Sequence, residues 1–134
     1  MPRNLTNKGV SDRKRILGVD DDELIRELIR SVLGDAGFHC ECVPGGEKAL
    51  ELLKSGEKFD LVTTDITNAP MEGIGFLERM KNAFPETPVM VITGFHDPQT
   101  ASECRTRGAC DYVLKPFTRQ QLLEAVFRAV EYRP

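Results

Sequence analysis

Four stretches of this chain end on residues able to bind cations or phosphate. Three aspartates, Asp20, Asp21 and Asp22, follow the apolar run Ile16-Leu17-Gly18-Val19, and a fourth, Asp65, closes Leu61-Val62-Thr63-Thr64. Thr93 closes Val89-Met90-Val91-Ile92, and Lys115, followed by Pro116, closes Tyr112-Val113-Leu114. Singly, each has an ordinary explanation. An aspartate after a strand is commonly a helix N-cap, a lysine is a surface charge, and a threonine fills a strand. Their joint occurrence at four run ends is the signal. Carboxylates brought within a few ångströms of one another repel and need a cation or protons to coexist. A few oxygen ligands open to solvent suit Mg²⁺, which keeps several waters and accepts a phosphate oxygen. A lysine opposite would neutralise phosphate charge, and a threonine hydroxyl would hydrogen-bond a phosphate oxygen.

The elements that must position these residues alternate along the chain. After the first run, Leu24, Ile25, Leu28, Ile29, Val32 and Leu33 recur at helical spacing, with Gly37 as a C-terminal stop. Phe38 to Val43 reads as a second strand, and Gly45-Gly46 turns the chain into a helix carrying Ala49, Leu50, Leu52 and Leu53. A third helix on Phe76, Leu77, Met80 and Ala83 ends at Pro85 and Pro88; a polar fourth spans about 98–107, with Ala101 and Cys104 as its thin apolar face. Gly108 caps it, the fifth strand covers Tyr112 to Lys115, and Leu122, Leu123, Val126, Phe127 and Val130 mark the last helix. Five strands each followed by a helix predict an α/β fold: a doubly wound, flavodoxin-like parallel sheet in order 2-1-3-4-5. In such sheets ligands bind beyond the carboxyl ends of the strands, where the order reverses. That rule brings Asp20, Asp21, Asp65, Thr93 and Lys115 to one rim. The Lys115–Pro116 bond is expected to be cis, aiming the lysine inward while the chain turns.

A length of 134 residues fits one domain, read as 14–132 behind a flexible basic tail of 1–13. The first 15 residues carry a net charge of +4 within a chain total of −3, leaving −7 on the remainder. An acidic body argues against direct nucleic-acid binding. There is no secretory signal pattern and no run long enough to span a membrane, so the expected compartment is the cytoplasm. Four cysteines without a C-x-x-C pair read as reduced thiols acting as small hydrophobes, although Cys40-Glu41-Cys42 beside His39 also has the makings of a metal ligand set.

In this order and spacing the pieces resemble the receiver domains of two-component response regulators. They are Ile16 to Asp22, Asp65 through Met71-Glu72-Gly73, Val91-Ile92-Thr93-Gly94, and Gly108-Ala109 through Tyr112-Val113-Leu114-Lys115-Pro116-Phe117. The resemblance implies that Asp65 is the phospho-acceptor and that Asp21 touches the Mg²⁺ directly, with Asp20 holding a metal-bound water. It implies the Thr67 backbone carbonyl as the remaining protein ligand, Lys115 as the phosphoryl contact, and Thr93 as a switch hydroxyl coupled to Tyr112. Asp22 matches a helix start. Two positions depart from the family pattern. The usual proline four residues after the acceptor is Ala69, with Pro70 one place later, and the residue two after the acceptor is Thr67, whose side chain could order or exclude attacking water. Both bear on how long the phosphorylated state lasts.

The implied partners are a sensor histidine kinase or phosphotransfer protein, and an effector or second copy at the face of the fourth helix, fifth strand and fifth helix. The implied role is a signalling switch that assists its own phosphorylation, not an enzyme for a separate substrate. Rival readings fit less well. An FMN carrier of the same fold wants Ser, Thr and Gly after the first strand, where this chain is acidic. An aspartate-nucleophile phosphatase wants a second acid two places on, where Thr67 stands. A docking module that has lost the chemistry would lack one of the acids or the lysine. The chain stops at Pro134, soon after the last helix, and would be a stand-alone regulator or part of a longer protein.

Overall fold

A computed structural model describes residues 13–67 and 70–131, with backbone only for Pro70 and Met71. The expected basic tail and the Ala69 departure lie outside the described residues, apart from Arg13. Five strands, β1 Arg15–Val19, β2 His39–Val43, β3 Leu61–Asp65, β4 Val89–Thr93 and β5 Ala109–Leu114, form one parallel sheet in the order β2-β1-β3-β4-β5. The helices are α1 Glu23–Asp35, α2 Gly46–Lys54, α3 Pro70–Ala83, α4 Pro98–Thr106 and α5 Arg119–Val130.

Strand alternation divides the apolar residues between two cores. Ile16, Leu61, Met90 and Ile92 face one side with Ile29 and Leu33 of α1 and Leu122 and Val126 of α5. Leu17, Val62, Val89 and Val91 face the other with Leu50 of α2, Leu77 and Met80 of α3, and Cys104 of α4. No helix among the described residues is long and apolar enough to cross a membrane.

Register decides what meets at the carboxyl rim. Val19 is paired with Thr64, so Asp20 and Asp65 leave the sheet side by side. Asp65 is paired with Ile92, which puts Thr93 one step beyond it, and Thr93 is paired with Leu114, which puts Lys115 just past the end of β5. An irregularity between Val89 and Met90 leaves Cys110 without a partner in the β4–β5 ladder.

Several boundaries differ from the sequence reading. β5 starts at Ala109, three residues early, because pairing with the deeply buried β4 extends it past the polar Asp111. α3 starts at Pro70, so Met71 to Gly73 are helical. A Cβ on Gly73 would overlap the Ile66 side chain, so glycine lets the first turns of α3 lie against the chain leaving β3. Ala83 is exposed, and Phe84, just past the helix, packs on the core in its place. In α4 only Cys104 is buried. Leu24 and Leu28 are on the solvent side of α1, 74% and 45% exposed, so its buried face is narrower than the apolar spacing suggested.

The termini of the helices follow local chemistry. Asp22 is the N-cap of α1, its carboxylate accepting from the Leu24 and Ile25 amides, and Asp97 caps α4 by accepting from the Thr100 amide. Thr118 and Gln121 make a reciprocal capping box on α5. After α1 and α4, Gly37 and Gly108 take φ of +99° and +114°, the left-handed stop that glycine adopts without strain.

Candidate functional site

The rim residues converge as the register requires. Asp20 is buried, 3% exposed. Its backbone is fixed by N–H donation to the Val43 carbonyl (3.1 Å) and by Arg26 Nη1 donating to its own carbonyl (2.7 Å). Its Oδ1 accepts from the Asp22 amide at 2.9 Å, while Oδ2 has no hydrogen-bond partner. Lys115 Nζ lies 3.6 Å from that oxygen, outside hydrogen-bond range. Burial is the main reason the Asp20 carboxyl is pushed up to about 6; the Asp22 amide opposes the shift, and the negative charge of Asp65 adds to it.

Asp65 is fully committed. Its Oδ2 accepts from Lys115 Nζ at 2.5 Å, and its Oδ1 accepts from both the amide (2.7 Å) and the hydroxyl (2.6 Å) of Thr67. Burial alone would raise this carboxyl, but Lys115 and the two Thr67 donors outweigh it and hold Asp65 below the usual carboxylate range. Lys115 is correspondingly held above its ordinary value, since its ion pairs with Asp65 and Asp20 outweigh its burial. The Lys115–Pro116 bond is cis, as expected. Asp21 is exposed at the mouth of an open cleft of about 650 Å³ that Asp20, Asp65, Lys48 and Arg79 also line.

Thr93 is wholly buried, and its hydroxyl accepts from the Phe95 amide at 3.1 Å. The Tyr112 hydroxyl donates to the Phe95 carbonyl at 3.0 Å. Thr93 and Tyr112 are thus joined through the main chain of Phe95, a link that the sequence reading did not contain. Two further links were missed. The Gly94 amide donates to Thr67 Oγ1 at 2.8 Å, and His96 Nε2 donates to the Lys115 carbonyl at 2.9 Å. Sequence patterns register side-chain types, whereas three of these links end on backbone groups of the β4–α4 loop.

The donor set fits Mg²⁺ in one respect that the structure shows directly: the buried Oδ2 of Asp20, 3.6 Å from Lys115 Nζ, accepts no hydrogen bond, and a cation or its bound water would satisfy it. Among the described residues no three acidic, histidine or cysteine side chains gather into a preformed cage. Mg²⁺ does not need one, because it binds through one or two carboxylates and retains water. The alternative set at β2 does not converge. Cys40 and Cys42 bring their sulfurs to 3.9 Å, but the His39 ring points to the other face of the strand, 3.4 Å from Glu41.

A five-stranded parallel sheet in the order β2-β1-β3-β4-β5, with two acids, a threonine and a lysine at its carboxyl rim, defines a doubly wound, flavodoxin-like α/β fold. Known proteins give the same answer. The family model described as the response regulator receiver domain matches residues 16–127. The regulatory protein AtoC of Escherichia coli is 36% identical over 117 residues, covering 87% of this chain and 25% of AtoC. A response regulator from Thermotoga maritima superposes with a TM-score of 0.83 at 28% identity, covering 90% of this chain and 99% of that one. NtrX from Brucella abortus, solved in complex with ADP, gives a TM-score of 0.80 at 33% identity over 89% of this chain and 26% of its own. The chain belongs to the response-regulator receiver family of two-component systems. It spans about a fifth to a quarter of the length of the curated relatives it matches.

Proposed function

We propose that this receiver takes a phosphoryl group on Asp65, from a phosphohistidine of a sensor kinase or phosphotransfer protein or from a small acyl phosphate. The observation that carries the reading is the Asp65–Lys115 contact of 2.5 Å beside an Asp20 oxygen that accepts no hydrogen bond. Oδ1 already accepts two hydrogen bonds from Thr67, so Oδ2, which faces Lys115, is the attacking atom. The Oδ2–P bond forms as the donor's N–P or O–P bond breaks, and the leaving imidazole or carboxylate keeps the electron pair. Lys115 passes from the carboxylate to the phosphoryl oxygens, where its charge is needed in the transition state. Asp20 and Asp21, with Asp65 and the Thr67 carbonyl, are the residues to hold Mg²⁺, which when bound neutralises phosphoryl charge.

The new phosphoryl oxygens offer Thr93 a stronger acceptor than it has in the resting state. Because Thr93 holds the Phe95 amide and Tyr112 holds the Phe95 carbonyl, its displacement disturbs Tyr112 and the α4–β5–α5 face. We read that face as the output surface for an effector or a second copy, and the protein as a switch with no separate substrate. A two-state element biased by one covalent change is sufficient.

The test is intact-mass spectrometry after incubation with acetyl phosphate and Mg²⁺. Wild type should gain one phosphoryl group and Asp65→Asn none. Equal labelling of the variant would remove Asp65 as acceptor.

A further inference from the structure

We propose that the Thr67 hydroxyl is a resting-state tie: it fastens the β4–α4 loop to the unmodified Asp65 carboxylate and lets go when Asp65 is phosphorylated. The proposal deepens the function above and rests on it only for the release step.

The hydroxyl has one hydrogen and two lone pairs. Asp65, kept ionised by Lys115 at 2.5 Å, can only accept, so the Thr67 hydrogen is committed to Asp65 Oδ1 at 2.6 Å. One lone pair then accepts the Gly94 N–H at 2.8 Å. The other faces Thr93 Oγ1 at 3.4 Å; the Thr93 oxygen accepts from the Phe95 amide, which leaves its own hydrogen free to point at Thr67. The result is a directed relay in which Thr93 donates to Thr67 and Thr67 donates to the anionic Asp65. Each donor is polarised by the charge at the end of the chain, and such chains are stronger than their separate bonds. The loop is also held from its far side, where His96 donates to the Lys115 carbonyl.

Transfer of a phosphoryl group to Oδ2 converts Oδ1 from half of a carboxylate into the carbonyl of a mixed anhydride. A neutral carbonyl is a much weaker acceptor than a carboxylate, so the Thr67 hydroxyl loses its anchor. The same event places negative oxygens within the site, towards which Thr93 and the Gly94 amide are drawn. Thr67 is therefore a positioning residue. It acts through Asp65 and the loop, and the hydroxyl is the part that matters.

The Thr67 methyl stands beside the loop without crowding it, since even a Cβ on Gly94 would meet it at 3.5 Å, an ordinary contact. Thr67→Val keeps that methyl while deleting the hydrogen bonds, and Thr67→Ser keeps the hydrogen bonds while deleting the methyl.

The experiment is amide NMR with hydrogen exchange on the full chain, as wild type, Thr67→Val and Thr67→Ser, with EDTA and no phosphodonor. In Thr67→Val the Gly94 amide should exchange roughly tenfold faster than in wild type, the effect expected for one lost hydrogen bond. Amides of Val91 and Ile92 should be unchanged. The Gly94 and Phe95 resonances should move towards their positions in acetyl-phosphate-treated wild type, and Thr67→Ser should stay with wild type. Unchanged Gly94 exchange in Thr67→Val would overturn the tie. So would a Thr67→Ser protein that behaves like Thr67→Val, since packing and not the hydroxyl would then be holding the loop. The donor-free arm is independent of the acceptor assignment, which fails separately if Asp65→Asn is labelled.

Discussion

Replacing Asp20 with asparagine should raise the stability of the metal-free protein, and the size of the effect can be worked from the site. Asp20 is 3% exposed, and its carboxyl is pushed up from 3.8 to about 6, chiefly by burial. Holding it ionised at about pH 7.5 therefore costs the folded state about 3 kcal/mol relative to the unfolded chain. That cost already includes the opposing attraction of Lys115 at 3.6 Å; the Asp20→Asn variant would escape it and keep the Oδ1 acceptor for the Asp22 amide, but would bury an amide nitrogen beside the Lys115 ammonium. A net gain of about 1–2 kcal/mol is expected, or about 3–10 °C in Tm at this chain length. The sign reverses the usual carboxylate case. Below pH 3.8 the group is protonated in both states and nothing is lost; the penalty grows as pH rises to about 6 and is complete above it. At about pH 5 roughly half of it remains, so the gap between variant and wild type should narrow. Thermal melts in EDTA at about pH 7.5 and pH 5 measure both effects, and a parallel series in millimolar Mg²⁺ should stabilise wild type more than Asp20→Asn. If the variant melts at or below wild type at the higher pH, or the gap is the same at the lower, the buried-charge reasoning is wrong.

Two other substitutions test how the scaffold positions the site. Gly73→Ala puts a methyl into Ile66 at the start of α3 and should cost about 1–3 kcal/mol in urea melts despite its better helix propensity. Asp22→Ala removes the α1 N-cap and should cost about 1 kcal/mol, while acetyl-phosphate labelling of Asp65 stays close to wild type.

The fold was legible because the deeply buried strands carry their own signature. β4, fully buried, is an unbroken apolar run, and the alternation with helices then leaves few topologies. The elements that misled are those whose burial is decided by neighbours. Leu24 and Leu28 continue an apolar period on the side of α1 that no described element covers, and Ala83 yields its place to Phe84. The first turns of α3 are set by the approach of Gly73 to Ile66, a contact between residues whose types predict nothing singly. In the site, the charged partners could be placed from the strand ends alone, since register brings Asp20, Asp65 and Lys115 together. The loop connections could not. Gly94 and Phe95 enter through main-chain groups that every non-proline residue possesses, so no residue type betrays them.

The double hold on Phe95 has a consequence for how this loop tolerates change. Its N–H belongs to Thr93 and its C=O to Tyr112, so a shift at one side chain reaches the other through the backbone of a single residue. What passes along that linkage does not depend on which side chain residue 95 carries. Exchanging Phe95 for another non-proline residue leaves both connections available. Inserting or deleting one residue between Thr93 and Phe95 presents the wrong peptide groups to both partners and separates them. The β4–α4 loop is therefore a part whose length is fixed by two main-chain links, against the usual expectation that surface loops accept insertions, while the half-buried Phe95 side chain separately packs on the core.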